Sequence, residues 1–264
     1  AGTRDPASLA WQELLIEHGY AARTIPKRYG GYGAEPDILL RVILDEEFAR
    51  ASVSSGIGGE GPEMLVPTLL EHGREAHKER WIGPTIRGEV VWCQGYSEPN
   101  AGSDLANVQT RATEDGDHFV INGQKIWTTG AHDADHMFCL VRTDPAAKKQ
   151  EGISFVLLDF KQPGIRVRPI RDIAGHEEFC EVFLDNVRTP VSNLVGELNK
   201  GFQYIAEALD IERFTMFTFS PIRGRTELLC DYVRDTVRDG KPLKGDPVIR
   251  QKVGVGVNLE IGAG

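Results

Sequence analysis

The chain has 264 residues, 41% hydrophobic and 26% charged, with a formal charge of −9 at pH 7. That composition is globular, and the negative balance argues against non-specific binding to nucleic acid or an anionic membrane, while leaving room for a local basic pocket for a small anion. No apolar run approaches the ~20 residues that span a bilayer, and the start AGTRDPASLAW lacks a charged-then-apolar signal pattern, so a cytoplasmic protein is expected.

Residues 1–90 read as helices. Asp5-Pro6 is a helix start, and Trp11, Leu14, Leu15 and His18 follow at helical spacing. The glycine-rich turn PKRYGGYG (26–33) separates this helix from the next, Ile38 to Arg50. Glu63 to His72 repeats the pattern with Gly73 as its stop, and Glu75 to Arg87 forms a further helix that Gly83-Pro84 should interrupt.

From residue 91 to 195 the period becomes two. Val108 to Ala112 reads as a strand, Asp115-Gly116 as a turn, and His118 to Ile121 as the next strand. Asn122-Gly123 predicts a two-residue hairpin, with Gln124 to Thr128 returning antiparallel. Strands follow at Met137–Arg142, Ile153–Asp159, Ile165–Pro169 and Phe179–Leu184. Strands joined by short turns predict an antiparallel barrel or sandwich.

From 196 to 264 the helical period returns through Ala206, Leu209 and Phe214, then Leu228, Leu229 and Val233. Asp239-Gly240-Lys241-Pro242 breaks it, and a last helix starts near Asp246-Pro247. The fold class is therefore α+β: an N-terminal helical domain, a middle antiparallel β domain and a C-terminal helical region. That last region reads as incomplete, either truncated or completed by oligomerising, because two helices alone bury too little apolar surface.

Several motifs carry competing readings. Gly56-Ile57-Gly58-Gly59-Glu60-Gly61 matches a dinucleotide fingerprint but lacks the preceding strand, so it reads as a loop between helices. His132-Asp133-Ala134-Asp135-His136 offers metal-ligand side chains, yet joins two strands and reads as a solvated loop; no metal is expected. The four cysteines, Cys93, Cys139, Cys180 and Cys230, lie mostly in apolar surroundings without zinc spacing and read as buried free thiols. The stretch WCQGYSEPNAGSDL (92–105) packs glycines, serines and acids into a loop whose amides and hydroxyls suit an anion; a serine nucleophile there lacks the G-x-S-x-G elbow. Trp127-Thr128-Thr129-Gly130 closes the expected hairpin, where the tryptophan either flanks a planar cofactor or is a strand-edge aromatic. Glu212, in ALDIERF, is either a general base on a partly buried face or a surface glutamate beside Arg213.

Taken together and in order, PKRYGGYG, WCQGYSEPNAGSDLANVQTRA, INGQKIWTTGA, GISFVLLDFKQPGIRV and FCEVFLDNVRTP resemble the acyl-CoA dehydrogenase family over roughly residues 10–215. The resemblance implies the same helical, β, helical order and an FAD cofactor. It implies that Tyr96 and Ser97 lie along the flavin, that Trp127 and Thr129 contact it with the Thr129 hydroxyl near N5, and that Ser103 lies near the flavin phosphates or the pantetheine of an acyl-CoA. The implied reaction is α,β-dehydrogenation of an acyl-CoA thioester, with a glutamate taking the α-proton and the β-hydrogen passing to N5 as hydride. In the family the base stands at either of two places, one beyond the end of this chain and the other a glutamate in a Leu-x-x-Glu-Arg motif; LDIER resembles the second, which implies Glu212 as the base and Arg213 as a residue that positions the substrate or the loop carrying the base. An electron-transfer flavoprotein is the implied electron acceptor.

Pro221 should kink the helix that follows, and Asn100 stands where the family commonly has glycine, a residue type that tolerates a left-handed backbone. The family's Arg-x-x-Phe-Gly stretch is replaced by DGKPLKGDPVIRQ. This pattern resembles a bacterial subgroup that acts on carboxylated or steroid-derived acyl-CoAs, often as mixed heterotetramers. Two alternatives therefore accompany the dehydrogenase: a non-catalytic partner subunit of a heteromeric enzyme, and an oxidase or monooxygenase on the same fold.

Overall fold

The computed structural model describes residues 4–206 and 220–262. These form two compact units: the first takes the described residues up to Glu35 and from Gly56 to Ala206, the second those from Pro36 to Ser55 and from Ser220 onward.

In the first unit, α1 (Pro6–Glu17) starts as expected, with the Asp5 carboxylate accepting from the amides of Ala7 and Ser8. Its inward face is Gln12, Leu15 and Ile16, and Leu14 stays exposed. Gln12 displaces an apolar neighbour because both ends of its amide find backbone partners: Nε2 donates to Ile86 O and Oε1 accepts from Ile57 N, each at 2.7 Å. In PKRYGGYG, a 3₁₀ turn at Lys27–Tyr29 ends on Gly30 at φ 89°, and the buried Tyr29 donates its hydroxyl to Glu75. A wide turn at Gly61–Leu65 leads into α3 (Val66–His72), which is followed by α4 (Glu75–Ile86). Gly83-Pro84 does not interrupt α4. The buried Ile82 and Ile86 hold the helix on either side of the proline, and Gly83 lets the Tyr29 carbonyl approach the helix closely. Residues 201–206 are helical, and Tyr204 stacks on His72 at 4.0 Å.

The strands of this unit are β1 (Trp92–Gly95), β2 (Arg111–Asp115), β3 (His118–Thr129), β4 (His136–Arg142), β5 (Ile153–Asp159), β6 (Ile165–Ile170), β7 (Phe179–Pro190) and β8 (Leu194–Val195). They form one sheet in the order β6-β7-β3-β2-β4-β5-β8, with β1 added alongside β4. Pairing is antiparallel except that β1 runs parallel to β4, and β2 meets β4 at one parallel pair. Alternate residues of β4 and β5 enter two cores. Phe138, Leu140, Phe155 and Leu157 meet the helices, while Met137, Cys139, Val156 and Leu158 meet side chains of β2, β3 and β7. The sheet curls around that second core, and Thr189 at the end of β7 donates to Leu157 O on β5 at 2.7 Å. Cys93, Cys139 and Cys180 are buried there, and burial pushes the Cys139 thiol up to about 11.

Two expectations for the strands fail. The strand expected from Val108 is β2 and begins at Arg111, because the Ala106 and Val108 carbonyls are taken by the Arg142 side chain. Asn122-Gly123 is not a hairpin turn: β3 runs straight through it, and the turn that joins β2 to β3 lies at Gly116-Asp117. Gly123 is extended at φ 159°, and a side chain there would strike the Thr110 backbone. The dipeptide serves close approach and an irregularity opposite β7, where Asn122 Oδ1 accepts from the Asn186 amide at 2.9 Å.

In the second unit, α2 (Ile38–Ala51) packs with α5 (Ser220–Asp235), and α5 with α6 (Pro247–Gly262). Between α5 and α6, β9 (Val237–Arg238) and β10 (Lys241–Pro242) form a hairpin. Its turn residues Asp239 and Gly240 are both left-handed, at φ 51° and 75°. The kink expected at Pro221 lies at the edge of the described residues.

Candidate functional site

The two signature segments meet in space. β1 carries residues 92–95 to the loop that begins at Tyr96, and the Ile126 amide of β3 donates to the Ser97 carbonyl at 2.9 Å. Ser97 therefore lies beside Trp127, although the two are 30 positions apart in the chain. The Tyr96 side chain is 4% exposed and packs edge-on against Phe138 and Phe155, so it belongs to the core. What Tyr96 presents toward the loop is backbone. Ser97 and Thr129 are half-buried, and Ser103 is exposed.

Trp127 is unusual twice over. It is 58% exposed, and it has φ 62°, a left-handed conformation that bulky residues avoid. The cause is a bulge. Lys125 pairs with Val182 and Thr128 with Cys180, so β3 carries one residue more than β7 over this interval. Phe179 meets the indole edge-on at 6.2 Å, supporting it from one side. The buried Thr128 hydroxyl next to it has no hydrogen-bond partner among the described residues. An exposed, braced indole beside threonine hydroxyls and loop backbone is a fit platform for a planar heteroaromatic group with polar edges.

The loop itself is built on a buried charge. Glu98 is 8% exposed, and its carboxylate accepts from Gln109 N at 2.7 Å, Thr110 N at 2.9 Å and Lys125 Nζ at 2.8 Å. Lys125 is fully buried and also donates to Tyr96 O at 3.2 Å. Burial alone would push the Glu98 carboxyl up, but the Lys125 charge and the hydrogen bonds outweigh it and hold the carboxyl below the usual range. Glu98 and Ala101 exchange backbone hydrogen bonds at 2.9 and 3.0 Å, closing a tight turn over Pro99-Asn100. Asn100 is not left-handed, so the substitution for glycine needs no special backbone.

The far end of the loop hangs from Arg142. Its guanidinium donates to Ala106 O at 2.8 Å, Val108 O at 3.1 Å and Lys149 O at 2.8 Å. Lys149 in turn pairs with Asp104 beside Ser103 at 2.6 Å. Sequence reading missed Glu98, Lys125 and Arg142 as functional supports. An isolated lysine or arginine in an alternating strand reads as solvent-facing, and only its distant partners reveal otherwise.

The His132–His136 segment has other work. Asp135 accepts from Val91 N at 3.0 Å and pairs with Lys161 and Arg4, while His136 packs against Trp81 and Trp92. Among the described residues, no three His, Cys, Asp or Glu side chains gather to hold a metal. The Gly56–Gly61 run follows no strand. Glu212 and Arg213 lie outside the described residues.

Comparison with known proteins fits this geometry. The model of the acyl-CoA dehydrogenase N-terminal domain matches residues 2–89, and that of the middle domain matches residues 93–187. The chain belongs to the acyl-CoA dehydrogenase family. It is 40% identical over 233 residues to acyl-CoA dehydrogenase FadE34 of Mycobacterium tuberculosis, covering 86% of this chain and 32% of that protein. It is 37% identical over 254 residues to acyl-CoA dehydrogenase IpdE1 of Mycolicibacterium smegmatis, covering 92% and 64%. Among solved structures, the Tcur3481-Tcur3483 steroid ACAD superposes with a TM-score of 0.81 at 32% identity, over 96% of this chain and 64% of that one. The chain thus spans less than two thirds of these relatives. Among the described residues, no helix is long and apolar enough to cross a membrane.

Proposed function

We propose that the protein is a flavin-dependent acyl-CoA dehydrogenase that introduces an α,β double bond into an acyl-CoA thioester. The observation that carries this reading is the junction of the two signature segments, where the Ser97 carbonyl and the Ile126 amide bring the exposed Trp127 indole and Thr129 to one surface. The indole supplies a face for the isoalloxazine ring, and Ser97 and Thr129 supply hydroxyls for its polar edge. FAD held there would supply the hydride acceptor for the substrate's β-hydrogen. Glu212 removes the α-proton, Arg213 helps position the substrate, and Ser103 serves the flavin phosphates or the pantetheine stem. An electron-transfer flavoprotein would be the electron acceptor, and the assembly would be a homo- or heterotetramer.

The test is anaerobic mixing of the flavin-loaded full-length protein with acyl-CoAs of straight-chain, branched and steroid side-chain types. Bleaching of the flavin band by at least one class, with no oxygen uptake in air, supports the dehydrogenase; rapid oxygen consumption points instead to an oxidase. Glu212→Gln should keep flavin and lose bleaching, and a fully active Glu212→Gln variant removes the assignment of the base.

A second reading is a subunit that works only within a heteromeric enzyme. It is favoured by solved neighbours described as two-component assemblies, the ChsE4-ChsE5 complex and the Tcur3481-Tcur3483 steroid ACAD. Absence of bound flavin from the protein alone, with flavin uptake on adding a co-expressed partner, would support it.

A further inference from the structure

We infer that the buried Lys125–Glu98 pair is a positioning device that sets the flavin-facing edge of the site, by tying the Tyr96–Thr110 loop to β3 just before the Trp127 bulge. The inference rests on the flavin reading above and adds residues that take no part in the chemistry.

The geometry is specific. Lys125 Nζ reaches two points on the loop, Tyr96 O at 3.2 Å and Glu98 Oε1 at 2.8 Å. Glu98 passes the connection on to the amides of Gln109 and Thr110, where the loop rejoins the sheet. One residue beyond Lys125, the Ile126 amide is drawn to Ser97 O, and β3 gains its extra residue against β7 at this place. Trp127 follows immediately, left-handed and facing out, while Lys125 two positions before it and Thr128 next to it are 0% and 2% exposed. The loop and the bulge are therefore one construction with a common anchor.

Stability alone does not account for such an anchor. A buried ion pair is often matched or bettered by apolar residues of the same volume, since desolvating two charges offsets their attraction. What an apolar pair cannot do is hold a carbonyl and two amides at fixed distances. Retaining the charges makes sense where placement of the attached backbone matters.

The test uses the full-length protein and the double variant Glu98→Gln/Lys125→Met, which removes both charges together and leaves no buried ion unpaired. Three readouts are taken: melting temperature, amide hydrogen exchange without flavin, and FAD affinity by titration. The expected result is a folded protein melting within a few degrees of wild type, exchange at Gln109, Thr110 and Ile126 faster by about tenfold, and FAD affinity weaker by about tenfold or more. If the double variant does not fold, Glu98→Asp carries the same three readouts, because the shorter carboxylate keeps a charge against Lys125 while drawing back from the amides of Gln109 and Thr110. A folded variant with unchanged exchange overturns the proposal, and so does faster exchange with unchanged FAD affinity. A wild-type protein that takes up no FAD, alone or with a partner, overturns the flavin reading and the proposal with it, and is recognised before any variant is made.

Discussion

Arg142 offers the sharpest test of how the loop is held. Arg142 is 6% exposed, and its guanidinium serves three carbonyls, those of Ala106, Val108 and Lys149, at 2.8 to 3.1 Å. Arg142→Met keeps much of the side-chain volume and removes every donor. A hydrogen bond from a charged donor contributes ~1.5–3 kcal/mol net, and a buried carbonyl left without a donor costs ~1–3 kcal/mol. The change also removes the cost of burying a cation, and water can reach the partly buried Lys149 side, so the net loss should be about 3 kcal/mol. At ~2–4 °C per kcal/mol for a protein of this size, the melting temperature should fall by roughly 6–12 °C. Arg142→Lys should recover only part of this, since an ammonium cannot span three carbonyls as a planar fork does. Calorimetry reads the loss, and amide exchange over residues 104–110 localises it. A loss below about 1 kcal/mol with unchanged exchange in that segment would refute the argument.

Trp127→Asn should leave the flavin-free protein as stable or more stable by up to ~1 kcal/mol, because asparagine accepts the left-handed backbone, while FAD affinity drops; denaturant melts and a flavin titration check both. Gly123→Ala should destabilise by ~1–3 kcal/mol despite its extended backbone, because the new methyl meets the Thr110 backbone; chemical unfolding measures it, and a neutral result would mean that the backbone at Thr110 yields freely. His77 and His136 both have pKa values lowered by burial, so each stays neutral in the fold after the unfolded chain has begun to take up its proton. Their contribution is complete above the ordinary histidine value of ~6.5 and is lost as pH falls below it. The melting temperature should therefore drop between pH 7.5 and 5.5, and His77→Gln should flatten that slope.

Much of this architecture is legible in the chain itself, and the reason is range. The Asp5-Pro6 helix start, the Gly73 stop and the strands at 136–142, 153–159 and 165–170 follow from residues a few positions apart. So does the signature order that marks the family. Local preference also explains Asp239-Gly240, which turns a hairpin where, among the described residues, no distant strand pairs with it. Asn122-Gly123 has the same kind of turn chemistry and makes no turn. Both β2 and β7 claim it for the sheet, and those pairings outweigh a dipeptide preference. Gly83-Pro84 likewise yields to the buried isoleucines around it.

The site divides along the same line. The sequence by itself singled out the segments proposed to carry chemistry: the 92–105 stretch, the 122–130 stretch and the LDIER motif, the last outside the described residues. Only the tertiary structure decided that Tyr96 faces the core, that Trp127 is thrust outward by a bulge, and that Lys125 reaches back 27 positions to Glu98. Burial and long-range hydrogen bonds depend on which strands become neighbours. No local pattern encodes that choice, because its energy exists only once the chain has closed on itself.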